Sequence, residues 1–427
     1  MKTRNVLVKI AIAAGVGLLL LSLAAPVLFP QSSGGARQEK LLNGLKVVML
    51  SNPKAEKVEL RIRIHSGSAF DPQGKEGLMR MLAANIFPSE AAREFFSEDL
   101  GGSLEIKSDY DFIQIDASAT PENLLSLLET VSTGVTNPTI DKETTAKLKS
   151  AQLDEVRNFA SDPARVADMA VARRLFGTFP YGRSKIGTVE SLQKIDFADL
   201  IDAKQRFLAA DNATLVLSGR FDQQLAYRAV RRYFGSWLKA DKSVPATFRQ
   251  PDAPPTGLEA LQSPGGERTE VRFAVRGAAR SGVDFVAAEI AALLLESRLR
   301  AALPAEYREH VKVEHHAYVL PGLFIVRFAG PGDPAKVAPL EILAKACAGN
   351  VTDHEFQSAK AAFAAKWNSV DPAERWLDID TYRLESIERE NIKIASIKLS
   401  DVQDLLLRMQ KLPVAAVALA RTSTATK

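Results

Sequence analysis

The chain repeats its own pattern once, at an offset of about 210 residues. Three pairs of positions carry the repeat: Gly67 and Gly277, Pro121 and Pro334, and the Asp-Pro steps at 162–163 and 371–372. The glycines end predicted strands, the prolines open predicted helices, and the Asp-Pro steps close long helices. The three offsets lie between 209 and 213 residues, and their agreement indicates an internal duplication.

Each copy is predicted to contain strands, a helix, more strands, a pair of helices and a closing strand. Helix pairs between sequence-adjacent strands favour an α+β fold, in which each domain is a mainly antiparallel sheet packed with helices. The predicted boundaries are 38–238 for the first domain, 239–257 for a linker, 258–421 for the second domain and 422–427 for a tail. The linker has four prolines and neither helical nor strand periodicity.

Composition excludes some classes of function. The 427 residues are 25% charged and 46% hydrophobic, which is ordinary for globular domains, and the net charge of +4 is too small to indicate a nucleic-acid-binding protein. The one cysteine, Cys347, cannot form an intramolecular disulfide. Because Cys347 lies in an apolar helical run, we predict that it is a small buried residue.

The N-terminus predicts a membrane anchor. Residues 1–9 carry three basic side chains, and residues 10–29 form an uncharged run that is long enough to span a bilayer. Because a basic flank stays in the cytoplasm, we expect the domains after the 30–37 linker to lie on the opposite side. In a Gram-negative bacterium this would be a single-pass inner-membrane protein with periplasmic domains. The alternative is a signal peptide cleaved at 22–24, which would release the protein into the periplasm.

Three motifs follow one another in the first copy. Gly-Lys-x-Gly-Leu at 74–78 leads from a strand into a helix that extends towards residue 87, and Phe-Pro-Tyr-Gly-Arg at 179–183 precedes Ile-Gly-Thr at 186–188. The strand Asn-Ala-Thr-Leu-Val-Leu-Ser-Gly at 212–219 comes last. In this order, and with the duplication, the motifs resemble the M16 family of peptidases, which includes insulinase, pitrilysin and the mitochondrial processing peptidase. The resemblance implies two α+β domains that face each other, or a partner half, around a peptide chamber.

The resemblance also shows what has been replaced. In the M16 family the helix after Gly-Lys-x-Gly-Leu carries the motif His-x-x-Glu-His, whose two imidazoles hold Zn²⁺ on one helix face while the Glu activates water. Here Arg80, Ala83 and Ala84 stand at those positions, and Glu155 stands at the place of the third ligand. Alanine cannot bind a metal and a guanidinium repels a dication. The resemblance therefore implies a peptidase fold that has lost its zinc and its catalytic residues, and we predict an ion pair between Arg80 and Glu155.

Peptide-binding candidates come from the second domain. In active members of the family an Arg and a Tyr of this domain hold the substrate backbone. By resemblance, Arg298 in Ser-Arg-Leu and the neighbours Tyr307 and Arg308 are the candidates in this chain. The family's Gly-Leu-Ala-Tyr segment is absent, so the resemblance to the substrate clamp is partial.

The histidines offer one alternative metal site. On a predicted strand, His310, Glu314 and His316 would share one face, although the ammonium of Lys312 would oppose a cation there. Together with Glu155 these residues are the candidates for a displaced zinc site. His65 ends the polar face of a predicted strand and has no second histidine nearby, so we predict that it lies on the surface.

The resemblance implies a catalytically inactive M16-type protein. Because a zinc-bearing subunit of this family often pairs with a zinc-less one, the expected partner is a zinc-bearing M16 homologue or a subunit of a membrane complex. Extended peptides would bind at sheet edges, where backbone hydrogen bonds tolerate many sequences. Two alternatives stay open: an active zinc metallopeptidase with a displaced site, and an assembly factor that never binds peptide.

Overall fold

The structure is a computed structural model, and it describes residues 35–240, 248–265, 268–331 and 339–420. The predicted membrane segment at 10–29 and the predicted tail at 422–427 lie outside these residues. Within them, no helix combines the length and the apolar character that crossing a bilayer requires.

The described residues form two sheets and 15 helices in a mixed α+β arrangement. The strands are β1 (Arg37–Lys40), β2 (Lys46–Ser51), β3 (Val58–Ile64), β4 (Ser103–Ser108), β5 (Ile113–Ala119), β6 (Ala213–Gly219), β7 (Leu258–Gln262), β8 (Thr269–Arg276), β9 (Lys312–His316), β10 (Leu323–Gly330) and β11 (Ala415–Ala420). The first-domain helices are α1 (Leu78–Ile86), α2 (Glu90–Glu98), α3 (Leu124–Thr136), α4 (Lys142–Ala160), α5 (Pro163–Phe176), α6 (Val189–Gln193), α7 (Phe197–Phe207) and α8 (Gln223–Phe234). The second-domain helices are α9 (Phe285–Ala302), α10 (Ala305–Arg308), α11 (Pro339–Cys347), α12 (Asp353–Ser369), α13 (Pro372–Thr381), α14 (Ile387–Ser396) and α15 (Leu399–Met409).

The two sheets have the same topology. The first sheet has the order β1-β2-β6-β3-β5-β4, and the second has the order β7-β11-β8-β10-β9. In the first sheet only the β2–β6 pair is parallel, and in the second only the β7–β11 pair is parallel. The last five strands of the first sheet therefore repeat in the second, strand for strand, and this confirms the duplication that the sequence pattern indicates.

Local sequence explains how the first sheet starts. Asn43-Gly44 joins β1 to β2, and Gly44 has φ 91°, a left-handed conformation that glycine adopts without strain. The turn is closed by hydrogen bonds between Leu41 and Leu45 and between Gly44 and Leu41, each 2.9 Å long. The predicted hairpin is therefore present. The side chain of Asn43 is also buried, and it donates to the carbonyl of Phe234, the last residue of α8, and to that of Trp237 just beyond the helix.

One helix of each domain packs against the sheet of the other domain. Helix α13 of the second domain packs Ala373 and Leu377 against the first sheet, where they contact Val48 and Val216. Helix α5 of the first domain packs against β8 and β11 of the second sheet in the same way. The two Asp-Pro steps found in the sequence open these two helices, because each Asp caps the N-terminus and each Pro occupies its first turn.

The polar face of β3 is covered by α13. Arg63 is only 2% exposed, and its guanidinium donates to Gln114, Glu374 and Asp378. In the second sheet Arg272, also 2% exposed, pairs with Asp168 on α5. Charged strand residues thus bind charged residues of the exchanged helix, and these buried pairs fix how the helix sits on the sheet.

The prediction that His65 lies on the surface is wrong. Its ring nitrogens lie 3.0 Å from Thr214 Oγ1 and 3.1 Å from Thr381 Oγ1, so the imidazole is held between the first sheet and α13. Burial lowers the pKa of His65 to about 4, against the attraction of Asp380, which raises it. Alternation along a strand identifies two faces, but it does not tell a solvated polar face from one that another polar element covers.

Candidate functional site

Helix α1 starts from a tight turn that requires glycine, with a buried acid beneath it. Gly77 has φ 95°, and a Cβ there would lie within 3.0 Å of Gln152 and of the Ile186 carbonyl, so only glycine fits. Asp71 accepts hydrogen bonds from the backbone N–H groups of Gly77 and Met79, each 2.8 Å long. These bonds satisfy two of the free donors at the start of α1. Burial raises the pKa of Asp71 to about 7, although the two N–H donors lower it.

Two separated motifs and helix α4 meet at this turn. Gln152 of α4 donates to the carbonyls of Gly77 (2.9 Å) and Ile186 (3.0 Å), and it thereby ties α4 to α1 and to the Ile-Gly-Thr segment. Arg183 donates to the carbonyl of Asp71 at 2.9 Å. Ser191 at the start of α6 donates to the Glu76 carbonyl at 2.8 Å. The first two motifs of the sequence analysis therefore build one site, with α4 behind it.

The predicted ion pair is present. Arg80 Nη2 lies 3.3 Å from Glu155 Oε2 and 3.4 Å from Oε1, so α1 and α4 face each other where the resemblance places a metal. The two side chains are 31% and 39% exposed, and such a pair contributes about 0.2–1 kcal/mol to stability. Ala83 is fully buried and Ala84 is half-buried. Of the four zinc-site positions only Glu155 carries a side chain that could bind a metal, so these residues do not fit zinc.

One polar residue of α1, Asn85, was not identified as a candidate from the sequence. Asn85 is completely buried, and neither its amide nitrogen nor its amide oxygen has a hydrogen-bond partner within the described chain. Met81 and Leu82, one turn earlier on α1, and the next residue, Ile86, belong to the apolar core. An unpaired buried amide costs about 1–3 kcal/mol, so Asn85 weakens this helix.

An open strand edge lies beside α1. Among the strands that the structure describes, β4 is the edge of the first sheet and pairs with β5 alone, and its inner side chains Leu104 and Ile106 pack on the core. The strand contacts both α1 and α2. An edge strand presents free backbone N–H and C=O groups, which can bind another extended chain. The sequence analysis expected sheet edges to bind peptide without naming one.

An apolar cavity of about 760 Å³ lies between α4, α5 and β7. Its walls include Val156 and Phe159 from α4, Met169 from α5 and Leu261 from β7. Arg173 supplies a cation to the wall. Because Val156 directly follows Glu155, this cavity begins next to the replaced metal site.

The second-domain candidates are placed apart from α1. Arg298 donates to both carboxylate oxygens of Glu355, at 2.7 and 3.0 Å, and to the carbonyls of Ala346 and Asn350. Tyr307 is 4% exposed. Its hydroxyl donates to the Pro331 carbonyl at 2.6 Å. These two side chains already hold the second domain together.

Arg308 is the exposed member of the three candidates. Its Nε donates to the Leu303 carbonyl at 2.8 Å, which leaves the outer part of the guanidinium in solvent. Peptide binding by Arg298, Tyr307 and Arg308 stays a prediction.

The three candidates for an alternative metal site do not come together, because His310 lies apart from Glu314 and His316. Strand β9 begins at Lys312, so His310 precedes it and contacts Arg268 instead. Glu314 and His316 are 3.2 Å apart, but Arg327 donates to the Glu314 carboxylate and lowers the pKa of Glu314, as does the hydrogen bond from His316. Across the described ranges, no three His, Cys, Asp or Glu side chains are grouped as metal ligands would be.

A polar bridge between the domains was not foreseen. Asp111 accepts from the Tyr181 hydroxyl at 3.0 Å and from the Val319 N–H of the second domain at 2.8 Å. Tyr181 in turn accepts from the Leu320 N–H at 3.0 Å. Burial raises the pKa of Asp111 to about 6, against these hydrogen bonds, which lower it. The Tyr181 ring also packs 4.5 Å from the Tyr318 ring.

The signal for this bridge was weak. Tyr181 lies inside a recognised motif, but nothing in one sequence pairs it with Asp111 or with a loop about 140 residues later. The buried Cys347, by contrast, was predicted from its apolar helical context.

Two family models match the chain. The model described as "Insulinase (Peptidase family M16)" matches residues 46–189, and the one described as "Peptidase M16 inactive domain" matches residues 194–363. An uncharacterized zinc protease of Mycobacterium leprae is 24% identical over 349 residues, which cover 77% of this chain and 78% of that protein.

Solved structures agree with the fold. A peptidase M16 inactive domain from Pseudomonas fluorescens superposes with a TM-score of 0.80 at 18% identity, over 91% of this chain and 98% of that one. A protease from Helicobacter pylori superposes with a TM-score of 0.82 at 18% identity, over 90% of this chain and 99% of that one. At such identities the likeness shows the fold.

Proposed function

This chain belongs to the M16 peptidase family, and from this membership we propose that it is a non-catalytic, peptide-binding partner of a zinc-bearing M16 chain. The observation that carries the proposal is the ion pair between Arg80 and Glu155, with Ala83 and Ala84 beside it. The helix frame of a peptidase is kept, while three of the four side chains at its zinc positions cannot bind or activate anything on a metal.

The peptide would bind as an added strand on β4. Its backbone would pair with the open edge, and one of its side chains would reach the apolar cavity lined by Val156, Phe159 and Met169. Because the recognition uses main-chain groups, it would tolerate many sequences and favour extended segments with apolar side chains. Such binding would suit a subunit that holds a peptide while a partner cuts it.

The first test measures metal and hydrolysis in the purified protein. After dialysis against trace zinc, mass spectrometry is expected to find far less than one zinc per chain, and fluorogenic peptides are expected to stay uncut. One tightly held zinc with chelator-sensitive cleavage would instead support the displaced site, and it would direct attention to Glu314, His316 and Glu155.

The second test uses proline to block the β4 edge. Neighbouring residues of an antiparallel strand point their N–H groups to opposite sides, so of Glu105 and Ile106 one faces β5 and the other faces the open edge. We expect the proline variant that unfolds at the wild-type temperature to bind a labelled extended peptide at least about tenfold more weakly. If that variant binds peptide normally, β4 is not the site, and an assembly role without peptide becomes the better explanation.

We also propose that residues 10–29 anchor the chain, with the domains on the periplasmic face of a bacterial inner membrane. The basic flank at 1–9 and the length of the apolar run support this placement. Protease added to spheroplasts should digest the domains while the membrane stays intact. A zinc-bearing M16 chain from the same source, with His-x-x-Glu-His intact, is the partner to test by co-purification.

A further inference from the structure

Two leucines stand almost fully in solvent at one corner of the first domain. Leu42, in the turn between β1 and β2, is 98% exposed, and Leu238, just after α8, is 80% exposed. They lie near each other because the Asn43 side chain donates to the carbonyls of Phe234 (2.7 Å) and Trp237 (3.0 Å). A single exposed leucine is ordinary, but two neighbouring exposed leucines indicate a binding surface.

Basic side chains lie on the strand, the helix and the loop that adjoin the two leucines. Strand β1 runs beside α8, because the guanidinium carbons of Arg37 and Arg231 lie 4.7 and 5.8 Å from the centroid of the Tyr227 ring. The cations on β1, on α8 and on residues 235–240 are Arg37, Lys40, Arg228, Arg231, Arg232 and Lys239. The acidic side chains near them are Glu39, which pairs with Arg37, Glu129 beside Tyr233, and Asp211, which accepts from the Ala240 N–H. β1, α8 and residues 235–240 together carry six cations and one acidic residue, Glu39.

The position of this corner, close in sequence to the predicted membrane segment, indicates which surface it could bind. β1 is the first described strand, and only the seven residues 30–36 separate it from the predicted membrane segment at 10–29. Seven extended residues reach at most about 25 Å. If residue 29 ends in a bilayer, the start of β1 stays close to the lipid headgroups. A bacterial inner membrane carries anionic lipids, whose phosphates attract Lys and Arg.

We propose that this corner is a membrane-contact surface, formed by Leu42 and Leu238 with Arg37, Lys40, Arg231, Arg232 and Lys239. The leucines insert into the interfacial region, and the cations bind the phosphates of anionic lipids. The surface holds the first domain at the bilayer in one orientation. It is independent of peptide binding at β4, which lies at the opposite edge of the first sheet from β1.

The test places a fluorescent probe at each leucine of the full chain. In a Cys347→Ala background, Leu42→Cys or Leu238→Cys is labelled with an environment-sensitive dye and reconstituted into vesicles of phosphatidylethanolamine and phosphatidylglycerol. Val283→Cys, at a site that is 95% exposed in the second domain, is the matched control. Lipids brominated along their acyl chains should quench the probes at 42 and 238 and shift their emission to the blue, and the probe at 283 should not respond.

Charge provides the second readout. Arg231→Glu with Arg232→Glu should reduce the quenching at both leucine positions, as should vesicles of phosphatidylcholine alone. Probes at 42 and 238 that remain unquenched would overturn the proposal, and so would equal quenching at all three positions. A blue shift without quenching would also overturn it, because it would show that a protein covers the leucines. Peptide binding measured on the same samples separates failure of this surface from failure of the proposed function.

Discussion

At the scale of single residues, the pair of Arg80 and Glu155 joins α1 to α4 at the positions where the resemblance places a metal. The two side chains meet at 3.3 Å, and position 84 lies one turn after position 80 on the same face of α1. We expect the double variant Arg80→His, Ala84→His to bind about one zinc per chain, because two imidazoles at i and i+4 and one carboxylate form a three-ligand site. Mass spectrometry after dialysis against zinc measures this directly.

A matched variant tests whether the site forms as intended. Adding Glu155→Gln to the double variant should remove the zinc, since an amide is a much poorer ligand than a carboxylate. If the double variant stays free of zinc, α1 and α4 do not keep the spacing of a metal site. The single change Arg80→Ala should lower the free energy of unfolding by at most about 1 kcal/mol, as for other exposed pairs.

Asn85 supplies a prediction about stability. Leucine has the branching of asparagine but no polar atoms, so Asn85→Leu should raise the free energy of unfolding by about 1–3 kcal/mol, the cost of an unpaired buried amide. Urea titration measures the change. Gln152→Leu is the matched control, because that buried amide makes two hydrogen bonds and its loss should destabilise the protein. A destabilised Asn85→Leu would mean that Asn85 is satisfied in solution.

The sequence predicted the surroundings of a residue only where its charge or its apolar neighbours left few possible partners. The ion pair followed from two opposite charges placed at former ligand positions, and the burial of Cys347 followed from an apolar run. The position of His65 was missed because its partners, Thr214 and Thr381, are about 149 and 316 residues away. No local pattern carries information about partners at that separation.

At the scale of elements, helix α13 ends in an unusual way. Arg383 has φ 53°, and it is the sole residue other than glycine with positive φ in the described ranges. The N–H of Leu384 donates to the Ile379 carbonyl at 2.8 Å, and the N–H of Arg383 donates to that of Asp380 at 3.4 Å. These two bonds form a Schellman motif, in which glycine is strongly preferred at the position of Arg383.

Replacing this arginine should therefore stabilise the helix end. We expect Arg383→Gly to raise the free energy of unfolding by about 0.5–1 kcal/mol, because glycine adopts the left-handed conformation without a steric penalty. Thermal and urea unfolding give the value. Arg383→Ala removes the charge and keeps the Cβ, so it should bring no gain. Equal gains from both variants would assign the effect to charge instead of backbone strain.

Most elements were predictable because their periodicity is local. Helix α4 spans Lys142–Ala160, as its charged helical pattern predicts, and β7 begins at Leu258, directly after the proline-rich stretch. The exchange of α5 and α13 between domains was not predicted. The sheet that each helix covers is set by tertiary contacts, such as those of the buried Arg63 with Glu374 and of the buried Arg272 with Asp168.

At the scale of the whole molecule, two titratable groups lie where the domains meet, and their pKa values are shifted in opposite directions. Asp111 bridges to the 318–320 segment, and burial raises its pKa from 3.8 to about 6. His65 lies under α13, and burial lowers its pKa from 6.5 to about 4. The stability that Asp111 contributes is therefore complete below pH 3.8 and is lost as the pH rises through about 6. The contribution of His65 is complete above pH 6.5 and is lost as the pH falls through about 4.

These opposite signs give a test of the interface between the domains. We expect the free energy of unfolding of the wild type, measured relative to Asp111→Asn, to fall between pH 4 and 6.5 by an amount on the order of 2 kcal/mol. Relative to His65→Gln it should rise over the same range by a similar amount. Urea titrations of the three proteins at several pH values give both slopes. Parallel curves for all three would show that neither group is buried between the domains, and the arrangement of α13 on the first sheet would then have to differ in solution.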